Sequence, residues 1–438
     1  MREIRLTAIT TVIVAYAAAL VGCATAPPAP SAESTTSVAT AAAIGAAVAS
    51  ASANTAPRAA PGAANPSQAS SAAAAAAAAV AALAAQKPFA EVVKGAKVTP
   101  GFFNIYERDD KVWIEIAPEQ FDQPFFFNFS FASGLGEKWF YGGMMLDSYI
   151  ATFHRLSHTQ VQLIARNTEF FAAPNTPEAR AVGEAFSNSL LSGAAVASQP
   201  HPERKSVLIE ANSLLFADIP GANGMLERTF RQPYAFDGRN SSITSARATP
   251  DLVAIDINAH YALQRISQPP PGAGFATQPP ATVPDIRSLF LGFSYNIAKL
   301  PEQPMRPRVA DARVGYFQEG RYDFGSDSRL TPKVALIQRW RLEKKDPQAT
   351  ISDPKQPIVF WVDRTVPVKY RQTIVDGVLE WNKAFEKVGF SNALQVKIVS
   401  DDTDPDTRDV RHVSIRWMTT ARPLFGGVGQ MQTDPRTG

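Results

Sequence analysis

The sequence predicts an α+β fold, in which β-rich N-terminal domains precede a strand, a long helix and further strands. Three observations predict it. Residues 111–117, KVWIEIA, place Val112, Ile114 and Ile116 on one face at a period of two, the pattern of a half-buried strand, and residues 125–131, FFFNFSF, form a second, more buried run. Residues 357–390 join an apolar stretch of strand length, 358–362, to a stripe of Tyr370, Ile374, Val378, Trp381, Phe385 and Val388 at steps of three or four, the spacing of one helix face. Residues 24–86 are dominated by Ala, Pro, Ser and Thr and differ from everything that follows.

At 438 residues and 45% hydrophobic content the chain can bury a core, and its length suggests two or three domains. Lys+Arg 43 against Asp+Glu 40 leaves it nearly neutral, so charge gives no ground for a nucleic-acid partner.

The single cysteine closes a recognisable signal. Arg2 and Arg5 precede an apolar run, 6–20, and Leu-Val-Gly-Cys follows at 20–23. Early positive charge, a short apolar stretch and small residues before a cut are what a secretory signal requires, and the stretch is short for a membrane span. The segment resembles a bacterial lipobox. That resemblance implies a lipoprotein signal peptide over 1–23 and acylation of Cys23, which then anchors the chain to a membrane; acyl chains contribute ~0.8 kcal/mol per buried methylene. Ala24, rather than Asp, implies passage to the outer membrane. A plain secretory signal and an uncleaved N-terminal anchor are the alternatives. In each case the chain is expected to be exported to the cell envelope, and one cysteine allows no internal disulfide.

Residues 24–86 are too poor in large apolar side chains to offset ordering and are expected to form a disordered tether, with a marginal alanine-rich helix at 72–85. A small N-terminal domain is expected over 87–120, a β-rich domain over 121–300 and an interdomain connector over 301–356, ahead of the unit at 357–438. Within the first, 88–95 suits a short helix ending at Gly95. Within the second, 149–155 and 160–166 flank a turn and read as a hairpin, with further strands at 206–211, 252–261 and 289–297 and a Pro-rich loop at 268–283. Pro301, Pro304 and Pro307 make 301–317 an extended crossing, and Arg339, Trp340 and Arg341 are placed to clamp two domains. Pro367 and Gly389 bound the helix, and strands at 395–400 and 413–418 follow it.

Several ordered stretches carry a resemblance: KPFAEVVKGAKVTPGFFNIYERDDKVWIEI (87–116), KLPEQPMRPRVADARVGYF (299–317), RWRLEKKDP (339–347), PIVFWVDRTVP (357–367), GVLEWNKAFEKVGF (377–390), SIRWM (414–418) and DPRTG (434–438). They are similar to exported bacterial zinc-dependent metalloproteases, in which two domains of unknown function precede a metzincin-like peptidase domain. The resemblance implies that 357–438 is the first half of a metzincin-like α/β peptidase domain, acting on a peptide or protein substrate, with 413–429 near the substrate cleft. Zinc in that family is held by H-E-x-x-H, two histidines on one helix face with a glutamate that deprotonates the bound water. The motif does not occur in this sequence. In the family's order it comes later, so the chain is expected to be truncated before it, without catalytic or metal-ligating residues and without zinc of its own. The rival expectation is a non-catalytic envelope lipoprotein that binds a partner.

The five histidines offer no substitute motif. His154 and His158 are four apart, but Arg155 stands where the glutamate belongs and the local period is that of a strand, so both are expected to be surface histidines. His201, His260 and His412 lack a local partner. Asp402, Asp404 and Asp406 alternate like the start of a calcium loop, yet Thr407 replaces the required glycine and Val413 the closing glutamate, leaving a solvated loop as the expectation. No G-x-S-x-G elbow, phosphate loop or dinucleotide fingerprint is present. Trp340, Trp361, Trp381 and Trp417 are expected in the core.

Overall fold

The computed structural model describes residues 86–267, 278–327, 330–400 and 406–438. The signal sequence with Cys23, the tether up to residue 85, the helix expected at 72–85, and Asp402 and Asp404 lie outside the described residues. In chain order the strands are β1 (Lys97–Thr99), β2 (Ile105–Arg108), β3 (Lys111–Ile116), β4 (Phe125–Ser133), β5 (Met145–Arg155), β6 (Gln160–Ala165), β7 (Phe170–Phe171), β8 (Ser189–Ala195) and β9 (Val207–Glu210). They continue with β10 (Ala235–Thr249), β11 (Leu252–Ala262), β12 (Ser288–Ala298), β13 (Gln318–Asp323), β14 (Lys333–Ile337), β15 (Ile358–Val362), β16 (Leu394–Ile398) and β17 (Val413–Ile415). The helices are α1 (Phe89–Val92), α2 (Pro177–Ala185), α3 (Ala211–Leu215), α4 (Ala222–Phe230), α5 (Val368–Leu379) and α6 (Asn382–Lys387). The fold is α+β and rich in strand.

The centre is a seven-stranded antiparallel sheet, in the order β10-β11-β12-β4-β5-β6-β8. Alternation in β4 points Phe125, Phe127, Phe129 and Phe131 to one face, where all four are fully buried. Tyr295 of β12 stacks on Phe127 at 6.0 Å and Phe293 stacks on Phe131 at 5.4 Å, so neighbouring strands interleave aromatic rings. The four-stranded sheet β1-β2-β3-β9 contributes Ile105, Val112, Ile114, Ile116 and Ile209 to the same core, and α3 and α4 add Leu214, Leu226 and Phe230.

The half-buried strand expected at 111–117 is buried on both faces. Trp113 joins a second cluster with Phe89, Val92, Tyr106 and Leu208, because α1 covers that side. Glu115, in the same strand, receives Ser206 Oγ at 2.5 Å, Arg204 Nε at 2.9 Å, Tyr106 Oη at 2.9 Å and Asn104 Nδ2 at 3.0 Å. Burial alone would raise its carboxyl, but these donors outweigh burial and hold it below the usual range.

The last unit is a parallel sheet ordered β16-β15-β17. Parallel neighbours need a crossover, and α5 with α6 supplies it between β15 and β16. The single helix expected between Pro367 and Gly389 is interrupted at Glu380–Trp381. Trp381, Lys383 and Ala384 there donate to carbonyls three residues back, tighter than an α-helix allows. Asn382 then pairs with both backbone groups of Leu394, its amide donating at 3.0 Å and its carbonyl accepting at 2.8 Å, which ties the break to β16. The apolar stripe is broken up with it: Ile374, Val378 and Phe385 are half-buried, while Trp381 and Val388 are 65% and 68% exposed.

The connector runs extended from 301, touching Leu336 through Val309. Of the clamp expected at 339–341, the Arg339 N–H reaches the last unit, donating to the carbonyl of Gly438 at 2.9 Å, while the side chains stay local. Arg339 and Arg341 donate to the carbonyls of Arg306 and Gln303 within the connector itself, and Trp340 is exposed.

Candidate functional site

All five histidines are described, and each has a separate setting. His154, on β5, meets Asp122 through Nδ1 at 2.8 Å, while His158 lies exposed in the turn before β6. His201 Nδ1 accepts the backbone N–H groups of Glu203 and Arg204, both at 3.2 Å. His412 Nδ1 donates to the carbonyl of Asp406 at 2.9 Å and its ring lies 5.0 Å from that of Trp361. His260, on β11, has partners far away in sequence: Asp237 at 3.0 Å and Ser288 at 2.8 Å. Among the described residues no three His, Cys, Asp or Glu side chains converge as a metal site. As placed in the described residues, these side chains do not fit a zinc ion.

The densest charged cluster joins the parallel sheet to the seven-stranded one. Asp256 interrupts the apolar strand β11 and is buried; it accepts Ser245 Oγ at 2.9 Å and pairs with Arg408 at 2.8 Å. Arg408 also reaches Asp406 at 3.3 Å, and Asp406 pairs with Arg247 of β10. The carbonyl of Arg408 accepts Asn296 Nδ2 at 3.3 Å. Asp406, expected in a solvated loop, is thus a tie between sheets.

Asp363, one residue beyond β15, extends the network. Its Oδ1 accepts the N–H and hydroxyl of Thr365 at 2.8 and 2.6 Å, and its Oδ2 accepts the Thr407 hydroxyl. Arg416 donates to Thr407 at 2.7 Å and lies 3.5 Å from Asp363. Burial would raise the carboxyls of Asp363 and Asp406, yet hydroxyl and backbone donors and the adjacent arginines hold both below their ordinary range. Burial pulls the Arg416 guanidinium down against the pull of Asp363. Ionised, paired carboxylates bind elements together; they are poor proton carriers near neutral pH.

A strap, residues 418–438, lies across the seven-stranded sheet. Met418, Phe425 and Val428 pack on the main core, and Phe425 stacks on Trp139 at 5.1 Å. Gln430 accepts the N–H of Met145 at 2.9 Å, while Gln432 accepts Asn128 Nδ2 at 2.8 Å and donates to the carbonyl of Leu146 at 3.1 Å. Polar Asn128 and Ser130 of β4 are buried. Of the tryptophans expected in the core, Trp361 is half-buried and Trp340, Trp381 and Trp417 are exposed. The parallel sheet has three short strands, too few to cover Trp381 and Trp417, and Trp417 instead stacks flat on Tyr370 at 5.3 Å.

The sequence does not single out Arg247, Asp256, Asp363, Arg408 or Arg416. One signal was present: an aspartate inside the apolar run 252–262 must find a cationic or hydrogen-bonding partner if that strand is buried.

Compared with known families, the chain matches two models described only as domains of unknown function, DUF5118 over residues 86–133 and DUF5117 over residues 143–345. No curated protein and no solved structure matches it.

Proposed function

We propose that this chain is the N-terminal portion of an exported zinc-dependent metallopeptidase, with a β-rich scaffold that holds the opening strand, helix and strands of a metzincin-like peptidase domain. The observation that carries this reading is the parallel β16-β15-β17 unit with its crossover helix, tied to the scaffold by Asp256, Arg408, Asp406 and Arg247. In the whole enzyme a zinc-activated water cleaves a peptide bond of a peptide or protein substrate. The 438 residues, lacking H-E-x-x-H, are inactive alone. Cys23 carries the lipid that anchors the chain in the cell envelope, at the outer membrane.

The test compares the purified 438-residue chain with a product extended through the DNA downstream of its last codon. The extended product is expected to contain H-E-x-x-H, to bind one zinc and to cleave peptides until a chelator is added. Stoichiometric zinc or chelator-sensitive cleavage from the 438 residues alone would sink the proposal. So would a downstream region without that motif, which would favour a non-catalytic envelope lipoprotein.

A further inference from the structure

We propose that Ser288, His260 and Asp237 form a separate acyl-transfer site, which hydrolyses unhindered carboxylic esters through an acyl-serine. The three residues sit on adjacent strands. Asp237 of β10 is paired with His260 of β11, and Ser288, at the start of β12, pairs with Ala262, two residues along β11 from His260. The pleat puts all three side chains on one face.

The protons are assigned by chemistry. An ionised Asp237 only accepts, so His260 Nδ1 carries a proton and donates it at 3.0 Å, which leaves Nε2 to accept the Ser288 hydroxyl at 2.8 Å. This is the order of nucleophile, base and orienting carboxylate that activates a serine.

Local backbone holds the carboxylate in place. Pairing steps from Asp237/His260 to Ser242/Asn258, so residues 238–241 bulge from the ladder. The bulge folds Asn240 back to donate to Asp237 at 2.6 Å, and the N–H of Arg239 donates to it at 3.2 Å. Ser241 accepts the N–H of His260 at 3.0 Å and donates to the carbonyl of Asp237 at 2.8 Å. Hydrogen bonds from Asn240 and His260 hold the Asp237 carboxyl below its ordinary range.

Access differs along the relay. The His260 side chain is 11% exposed, whereas Ser288 is exposed to solvent. Phe290 lies 4.9 Å from the imidazole and is 48% exposed, an apolar shelf beside the nucleophile. An open sheet face with one aromatic ring suits short acyl groups on aryl or small alkyl esters.

In the first step Ser288 Oγ attacks the carbonyl carbon, its proton passes to His260 Nε2, and the carbonyl π pair moves to oxygen. Collapse breaks the bond to the alkoxy oxygen, which takes the proton from Nε2. Water then attacks the acyl-serine with the same base, releasing the acid and restoring Ser288.

The full chain is treated with a fluorophosphonate and, separately, with p-nitrophenyl acetate, both in the presence of a chelator so that any zinc peptidase activity is silent. Expected are one phosphonyl group on the peptide containing Ser288, complete loss of labelling in Ser288→Ala, and a fall on the order of 10²-fold in His260→Gln. Should His260→Gln unfold, Asp237→Asn serves: with its circular dichroism matching that of the unmodified chain, its labelling should fall at least about tenfold. No labelling beyond the heat-denatured chain, undiminished labelling of Ser288→Ala, or undiminished labelling of a folded His260→Gln or Asp237→Asn would show a hydrogen-bonded surface ladder only.

Discussion

β4 and α5 bury their apolar residues to opposite degrees. Four phenylalanines of β4 are fully buried between sheets, whereas α5 has no buried residue and leaves Val368 77% exposed. The contrast shows two ways of being held. The seven-stranded region stands on a large aromatic core, while the parallel unit has a small core around Ile358, Val362 and Leu394 and is joined to that region by charged ties as well as by Val410.

The largest effect should come from the core. Phe131→Ala should cost about 3–5 kcal/mol, from lost burial plus a residual cavity, and should lower the denaturant midpoint of the whole chain. If only 357–438 responded, the core would not be the shared foundation.

Asp406→Ala removes one of the two carboxylates that Arg247 and Arg408 share, leaving Asp256 alone to pair with both, and should cost about 1.5–3 kcal/mol. The loss should be local. Amide exchange in α5, expected to be faster than in β4, β11 and β12 in the unmodified chain, should accelerate further while those strands stay protected. Equal protection of α5 and the strands in the unmodified chain would erase the contrast.

Acid should separate the regions next. The carboxyls of Asp363 and Asp406 lie below their ordinary values in the folded chain, so their contribution is complete above the unfolded value of about 3.9 and disappears as pH falls through the lower folded values. Fluorescence from Trp361 and Trp417, in the parallel unit, should therefore change below about pH 4. An Asp406→Asn variant should show a shallower acid response, and an unchanged one would contradict the assignment.

The smallest effect is expected at Trp381→Ala. The side chain is 65% exposed, and its removal should move stability within about ±0.5 kcal/mol. A larger loss would mean that the outer face of the helix is covered in solution.

Strands that read as runs of apolar, β-branched and aromatic residues were legible: 358–362 coincides with β15, and 125–131, 252–261 and 289–297 fall within β4, β11 and β12. β10 was not, since AFDGRNSSITSARAT shows no alternation. It is an edge strand with a long bulge, where solvent rather than packing selects side chains. The helix after Pro367 was legible in place but not in continuity, because the Asn382 contact to Leu394 is tertiary. The junction and the His260 cluster were illegible for the same reason: Arg247 and Asp406 stand 159 residues apart, and His260 and Ser288 stand 28 apart.

The strap has a consequence for the order of folding. Its bonds at Gln432 and Gln430 span 304 and 285 residues, so neither can form until β4 and β5 exist as a surface. During synthesis that surface emerges first. The strap is then a late latch, and its closure reports that the β-rich part has already folded.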